Sequence, residues 1–394
     1  MNLSKELSIG QITYLNALRG IAAMFVLLGH ASHLFLKGSL LSKSGIEKLG
    51  VIIFFLISGF LISYSVFKKY HDSSYTFRIF FIDRFCRIFC PFIPALFFVF
   101  IVDSYIFKLP SYSNLHIYEF DWIPTIKDNS SFVFFIGNLL MLQDFPLFQI
   151  FRLLGSHDFF FFIRPFGSGR PFWTISIEWW IYMFFGLISL SVFRDKKALS
   201  IGFLSLIIFV SIEPLYYLIG GRDNCLSFLW IFGMSFAFIL TRKSFLVRRQ
   251  IILSRNLGIF LILTFPLSFL FMIGRLVNNY IDTHKLVFSE LQFCVFLSIT
   301  FFSSFLLLEK IERVPFFLKI IFGFLADFSY SLYLIHFSLL AYIYLSFPGH
   351  QTSVSFFMLS TLICIITSII FYFLFEKHHR KIAFIIKDLI NTIY

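Results

Sequence analysis

Three ionisable side chains fall inside apolar stretches that offer them no obvious company. Arg19 and His30 share the stretch 12–36, and Glu178 lies in Trp173-Thr174-Ile175-Ser176-Ile177-Glu178-Trp179. Holding a charged group at the centre of a bilayer-length helix costs about 2.5–3.5 kcal/mol on insertion scales, so each needs a reason to be there. Eleven residues at 100° per residue bring the helix almost back to its starting angle. Arg19 and His30 therefore project from one face, about 16 Å apart along the axis. A desolvated imidazole is kept neutral and suits general-base work on a hydroxyl. The plainer reading has Arg19 snorkelling to the interface and His30 as a satisfied core histidine. Glu178 is either an orienting acid or half of an ion pair that fixes helix packing, and Arg19 or His30 is its natural partner.

Other residues extend this set. Ser58 precedes Gly59 in Phe54-Phe55-Leu56-Ile57-Ser58-Gly59-Phe60. Such small residues serve close helix packing, or they present a hydroxyl and open backbone to a reacting centre. Arg84 and Arg87 are helical neighbours three apart, with Arg78, Lys68 and Lys69 close in sequence. They mark a cytoplasmic boundary, and paired guanidiniums also suit the phosphates of a nucleotide-bearing cofactor. His336 ends the run from Phe328 and taken alone reads as structural. Asp103 and Glu213 sit near expected outer span ends, where interfacial placement suffices. The five cysteines show no paired CxxC spacing and no His/Cys cluster, so neither a disulfide framework nor a metal is expected.

Those residues need a scaffold, and composition names it. Of 394 residues, 58% are hydrophobic and 14% charged, against about 25% charged in a soluble domain. Apolar runs of bilayer length recur near 12–36, 49–67, 88–107, 173–193, 198–219, 225–241, 257–273, 291–308, 328–347 and 354–375. The expected fold is an all-α polytopic membrane bundle of about ten transmembrane helices, one integral-membrane domain over 1–394. Arg19 interrupts the first run and no small-residue cleavage site follows His30, so that run reads as a span and not a signal peptide. The 11-residue piece Phe132 to Leu142 is too short to cross about 30 Å of hydrocarbon. Without it, most lysines and arginines fall on one side: 68–87, 194–197, 242–249, 309–327 and the tail 376–394. That places both termini in the cytoplasm, 132–142 as a re-entrant or interfacial helix, and 108–172 as an external cap. The net charge of +12 belongs to this positive-inside pattern and does not call for nucleic acid.

The motif-bearing segments resemble, in order, those of the acyltransferase-3 family of membrane acyltransferases. Leu18-Arg19-Gly20-Ile21-Ala22-Ala23 followed by Gly29-His30 is similar to its opening helix, and Phe54 to Phe60 to its second-helix FFxxSGF pattern. Arg84-Phe85-Cys86-Arg87 matches its RxxR, and Trp173 to Glu178 resembles its W-S-L-x-x-E segment with Thr174 in the usual place of Ser. Ser329 to His336 resembles the S-Y-S-x-Y-L-x-H segment, and Phe375-Glu376-Lys377 the closing E-K. Asn16 stands where the family often has Asp. The resemblance runs over 18–377 and implies the stand-alone form, without the soluble hydrolase-like domain many members carry.

It implies an acetyl-CoA or similar acyl donor on the cytoplasmic side and an envelope saccharide acceptor, such as O-antigen or exopolysaccharide. The setting would be the bacterial inner membrane and the enzyme an O-acetyltransferase. On that footing Arg84, Arg87 and Arg19 line the donor's path, and His30 acts as base or transient acyl carrier. Glu178 then orients His30 or pairs with Arg19, and Ser58 stabilises the oxyanion. Trp173, Tyr330 and His336 are substrate-binding candidates, and the cap, with Arg152, Arg164 and Arg170, offers an acceptor surface. The alternative is a lipid-linked glycan flippase or a glycan polymerase. A transporter calls for broken spans in corresponding halves, which the sequence does not show.

Overall fold

The computed structural model describes residues 7–113, 120–146, 163–195, 200–219, 225–241, 256–283 and 291–393. Arg152, Gly155 and most of the apolar piece Phe159 to Ile163 lie outside the described residues. So do the basic residues Lys196, Lys197, Arg242, Lys243, Arg248 and Arg249.

Every regular element among the described residues is helical. The principal helices are α1 (Ile9–Phe35), α2 (Ile46–Lys69), α3 (Phe77–Ile106), α4 (Phe132–Leu139), α5 (Phe172–Gly186) and α6 (Ile201–Leu218). They continue with α7 (Leu226–Thr241), α8 (Asn256–Thr283), α9 (Leu291–Leu307), α10 (Phe316–Asp327), α11 (Ser329–Ser346), α12 (Val354–Phe371) and α13 (His379–Ile393). Wide π-helical turns extend α5 over Leu187–Arg194 and α12 over Tyr372–Glu376. Seven described helices are long and apolar enough to cross a membrane, or eight if α10 and α11, bent by 55°, form one span. Two of the ten expected spans, those in α7 and α8, are represented by the shorter apolar stretches Leu226–Thr241 and Ile262–Val277. Leu362, Ile366 and Ile370 of α12 stand about half exposed, which is apolar surface suited to lipid and not to water.

One boundary differs from the sequence reading. α3 begins at Phe77 and carries Arg78, Arg84 and Arg87 within it, because charge marks the edge of the bilayer while backbone hydrogen bonding carries the helix beyond it. The basic tail forms α13, which packs Ala383 and Ile386 against Ile82 and Cys86 of α3, with Lys387 paired to Asp83.

The chain forms two compact units. The first comprises Met1–Gly29, Lys43–Ser73 and Tyr217–Ser329. Its core gathers Ile57 and Phe60 of α2, Phe236 of α7, and Phe301 and Phe305 of α9. The Phe60 ring lies 5.2 Å from that of Phe236 and 4.9 Å from that of Phe305. α2 and α7 touch backbone to backbone: a Cβ at Gly59 would collide with the Trp230 carbonyl, and one at Gly233 would lie 2.6 Å from Phe60 N. Glycine is required here by close approach, since without a Cβ the helix axes come near enough for dispersion contact along their whole crossing.

The second unit comprises His30–Ser42, Ser74–Tyr216 and Tyr330–Tyr394. In it α3 packs on α5 through Phe89 and Trp179, ring centroids 5.1 Å apart, and Phe92 and Phe172, also 5.1 Å apart. α4 has eight residues, about 12 Å of helix, well short of a crossing. Met141 and Asp144 after it take left-handed φ values of 57° and 58° and turn the chain back. The Met141 carbonyl accepts from Ser176 Oγ and Trp180 Nε1, each at 2.8 Å, and Gln143 Nε2 donates to Phe172 O at 3.0 Å. This short helix is thereby fastened to α5.

Asp103 and Glu213, expected near outer span ends, are both covered by neighbouring segments. Asp103 is 1% exposed and Glu213 fully buried. Asp103 accepts from Ser168 Oγ at 2.5 Å and Ser168 N at 3.0 Å, and Glu213 lies 3.1 Å from Ser176 Oγ. A position near a helix end reveals depth along the membrane normal but not whether neighbouring segments cover it. Gly59→Val is expected to destabilise the first unit by about 1–3 kcal/mol, the usual cost of overpacking. Gly323→Ala, where a Cβ meets nothing within 4 Å, should leave stability nearly unchanged. Denaturation midpoints of both variants in detergent check this.

Candidate active site

The second unit brings His30, the first residue it draws from α1, to His336 on α11. His30 Nδ1 lies 3.0 Å from His336 Nε2, and the two rings stack with centroids 5.2 Å apart and planes 20° apart. His336 has no exposed surface, and its Nδ1 is 2.9 Å from the Leu332 carbonyl and 3.0 Å from that of Tyr333. His30 is only half-buried. Phe337 meets it edge-on at 5.2 Å, Trp122 meets Phe337 edge to face at 5.0 Å, and the guanidinium of exposed Arg170 lies over Trp122 at 5.6 Å and Phe337 at 5.9 Å. A partly open imidazole thus sits beside an aromatic wall with a cation at its rim.

A second polar cluster surrounds the start of α11. Arg87 Nη1 meets Glu376 Oε1 at 2.6 Å. Glu376 Oε2 accepts from Ser331 N at 3.0 Å and Ser331 Oγ at 2.6 Å. The Arg87 guanidinium also lies 5.5 Å from the centre of the Tyr330 ring. The 55° bend before Ser329 frees the first amides of α11 from any preceding turn. A buried carboxylate satisfies one of them and complements the positive end of the helix dipole. The π-helical turn holds Glu376 inward at 0% exposure.

The segment Trp173 to Glu178 is tied to the same helix. Thr174 Oγ1 lies 2.5 Å from Tyr333 Oη, and each hydroxyl also reaches the Pro171 carbonyl, at 3.0 Å and 3.3 Å. A threonine keeps the hydroxyl that this bond needs. Glu178 accepts from Tyr182 Oη one turn along α5, and its charge acts on Tyr330 and Tyr333 of α11. Tyr330 Oη is buried and makes no hydrogen bond with the described residues. Trp173 is half-buried at the head of α5.

Within this unit, then, His30, Arg87, Glu178, Tyr330 and His336 of the sequence-derived set all gather along α11. Arg84 lies one turn before Arg87 on α3, near His379, whose ring feels both guanidiniums. Arg19 and Ser58 belong to the first unit, on α1 and α2. The close approach of Gly59 to Trp230 gives Gly59 a packing role. Glu376 was visible beforehand only as the closing motif; its link to Arg87 spans 289 positions and no local pattern announces it. Among the described residues, no group of three or more His, Cys, Asp or Glu could hold a metal ion.

A family model described as an acyltransferase domain matches residues 12–373. The chain belongs to the acyltransferase-3 family. It is a multi-pass membrane protein of acyltransferase type. No curated protein and no solved structure matches it significantly.

The Arg87–Glu376 pair sets a stability expectation. Glu376 is fully buried while the Arg87 side chain keeps 25% of its surface open, and stranding a buried charge by removing its partner costs up to about 3–5 kcal/mol. Arg87→Met alone should lower the denaturation midpoint sharply. Arg87→Met with Glu376→Gln, which keeps an acceptor for Ser331, should recover most of that loss.

Proposed function

We propose that the protein is an O-acyltransferase that moves an acetyl group from acetyl-CoA, taken up at the cytoplasmic face, to a hydroxyl of an envelope saccharide. The setting proposed is the bacterial inner membrane, with both termini cytoplasmic. The observation that carries this reading is His30, held at one ring nitrogen by His336 and half-open beside an aromatic wall. General-base catalysis needs that combination of a fixed ring and an accessible lone pair. Family membership favours acyl transfer over the flippase or polymerase alternative.

In this reaction His30 Nε2 takes the proton of the acceptor hydroxyl as its oxygen bonds to the thioester carbonyl carbon. The tetrahedral intermediate collapses with breakage of the C–S bond, and the departing sulfur takes the proton back from His30. The family resemblance makes Ser58 and Arg19 further candidates, for the oxyanion and for the pantetheine arm. Glu178 is proposed to act at the α11 side, through Tyr182, Tyr330 and Tyr333. Arg84 is the leading candidate for the CoA phosphates, since Arg87 is engaged with Glu376; Arg87 fixes the helix from which Arg84 reaches. Trp122 offers a stacking face to a sugar ring and Arg170 a charge at its edge, with Trp173 a further candidate contact.

The test is CoA release from labelled acetyl-CoA by purified protein in liposomes with candidate glycan acceptors. His30→Ala should lose about 10²–10⁴-fold in kcat, the usual worth of a positioned base. Arg84→Ala should raise KM for acetyl-CoA about tenfold, as for loss of one charge-assisted phosphate contact. Full turnover by a correctly inserted His30→Ala would sink the mechanism.

A further inference from the structure

The hydrogen-bond pattern around His336 determines which nitrogen of His30 is free to react. His336 Nδ1 faces two carbonyl oxygens, of Leu332 and Tyr333. Carbonyls only accept, so the proton of a neutral His336 must sit on Nδ1 and its Nε2 must carry the lone pair. The neutral form is the one this site supports. The ring has no exposed surface, its hydrogen-bond partners among the described residues are those two carbonyls and His30, and an imidazolium there would be a buried charge with no described carboxylate bonded to it. Since Nε2 of His336 accepts, the nitrogen 3.0 Å away, His30 Nδ1, must donate. The proton of neutral His30 is therefore on Nδ1, and its lone pair is on Nε2.

We infer that His336 is a positioning residue that locks His30 in the Nδ1-protonated tautomer, leaving Nε2 as the basic atom. This deepens the proposed reaction and rests on His30 as its base. An unrestrained imidazole favours the opposite tautomer, with the proton on Nε2, in which the nitrogen not facing His336 cannot take a proton at all. The backbone carbonyls of α11 thus act on His30 at second hand, with a neutral imidazole in the place that a carboxylate holds in a nucleophile–histidine–acid triad. When Nε2 gains the acceptor's proton, the Nδ1–H bond to His336 strengthens and spreads the new charge without a second buried ion. The other groups acting electrostatically on His30 are His33 on its own helix and Arg170 from the turn before α5. Neither replaces the acceptor at Nδ1.

The experiment is solid-state NMR of ¹⁵N-histidine-labelled protein in lipid bilayers, with the His30 signals identified by their loss in His30→Ala. His30 should show a protonated Nδ1 and an unprotonated Nε2. In His336→Leu the acceptor is gone and the tautomer should revert to Nε2–H. In His336→Gln the side-chain amide can donate to the α11 carbonyls while its oxygen accepts from His30, so the Nδ1–H tautomer should persist. Acetyl transfer should follow the same order: kcat down about 10²-fold in His336→Leu with KM for acetyl-CoA unchanged, and largely restored in His336→Gln. An Nε2–H tautomer in the unaltered protein, or one that ignores His336→Leu, overturns the inference whatever the activities. The expected tautomers with full turnover by His30→Ala would overturn the base reading instead and leave the tautomer lock standing.

Discussion

Glu376 carries a carboxylate with no exposed surface, and three donors from two other elements converge on it. Arg87 comes from α3, and Ser331 contributes its amide and hydroxyl from the first turn of α11. In a bilayer there is no water to satisfy a broken helix, so the freed amides of α11 must find an internal acceptor. Once they do, α3, α11 and the end of α12 are fixed to one another. The candidate site uses that fixed α11: Thr174 bonds to its Tyr333, the charge of Glu178 acts on its tyrosines, and His336 presents its ring to His30.

The polar residues of this unit are therefore of two kinds. Glu376, Asp103 and Glu213 are fully or almost fully covered, and their donors are internal. Their energetic meaning is the penalty of losing a partner, more than a gain over apolar residues of similar size. His30 and Arg170 are held by neighbours yet retain open surface. Reaction chemistry requires that second combination, since a group sealed on every side cannot meet a substrate.

Much of this was legible in the sequence and some was not, for definite reasons. Each expected apolar stretch holds a helix, because bilayer length and hydropathy are local properties of the chain. The resemblance carried Arg84, Arg87, Glu178, Tyr330 and His336 as separate motifs but not as one assembly along α11. Pairing of His30 with His336 joins positions 306 apart, and the lining of an interior says nothing about itself to a window of twenty residues. The burial of Asp103 and Glu213 was not legible, because depth along a span is readable from sequence and coverage by other segments is not. The Ser58-Gly59 pair left packing and chemistry both open; the Trp230 carbonyl against Gly59 accounts for the glycine.

The π-helical turn Tyr372–Glu376 has a geometric effect on the helix beyond it. A π turn accommodates an extra residue compared with continuous α-helix, so every later side chain is set back by one position, about 100° of rotation. α12 shows apolar side chains to the lipid, whereas α13 must turn Ala383 and Ile386 onto α3. An unbroken helix would carry the angular phase of α12 straight into α13 and swing that stripe away from its partner. The wide turn works as a phase shifter, letting one continuous stretch of chain serve two surroundings with different azimuths.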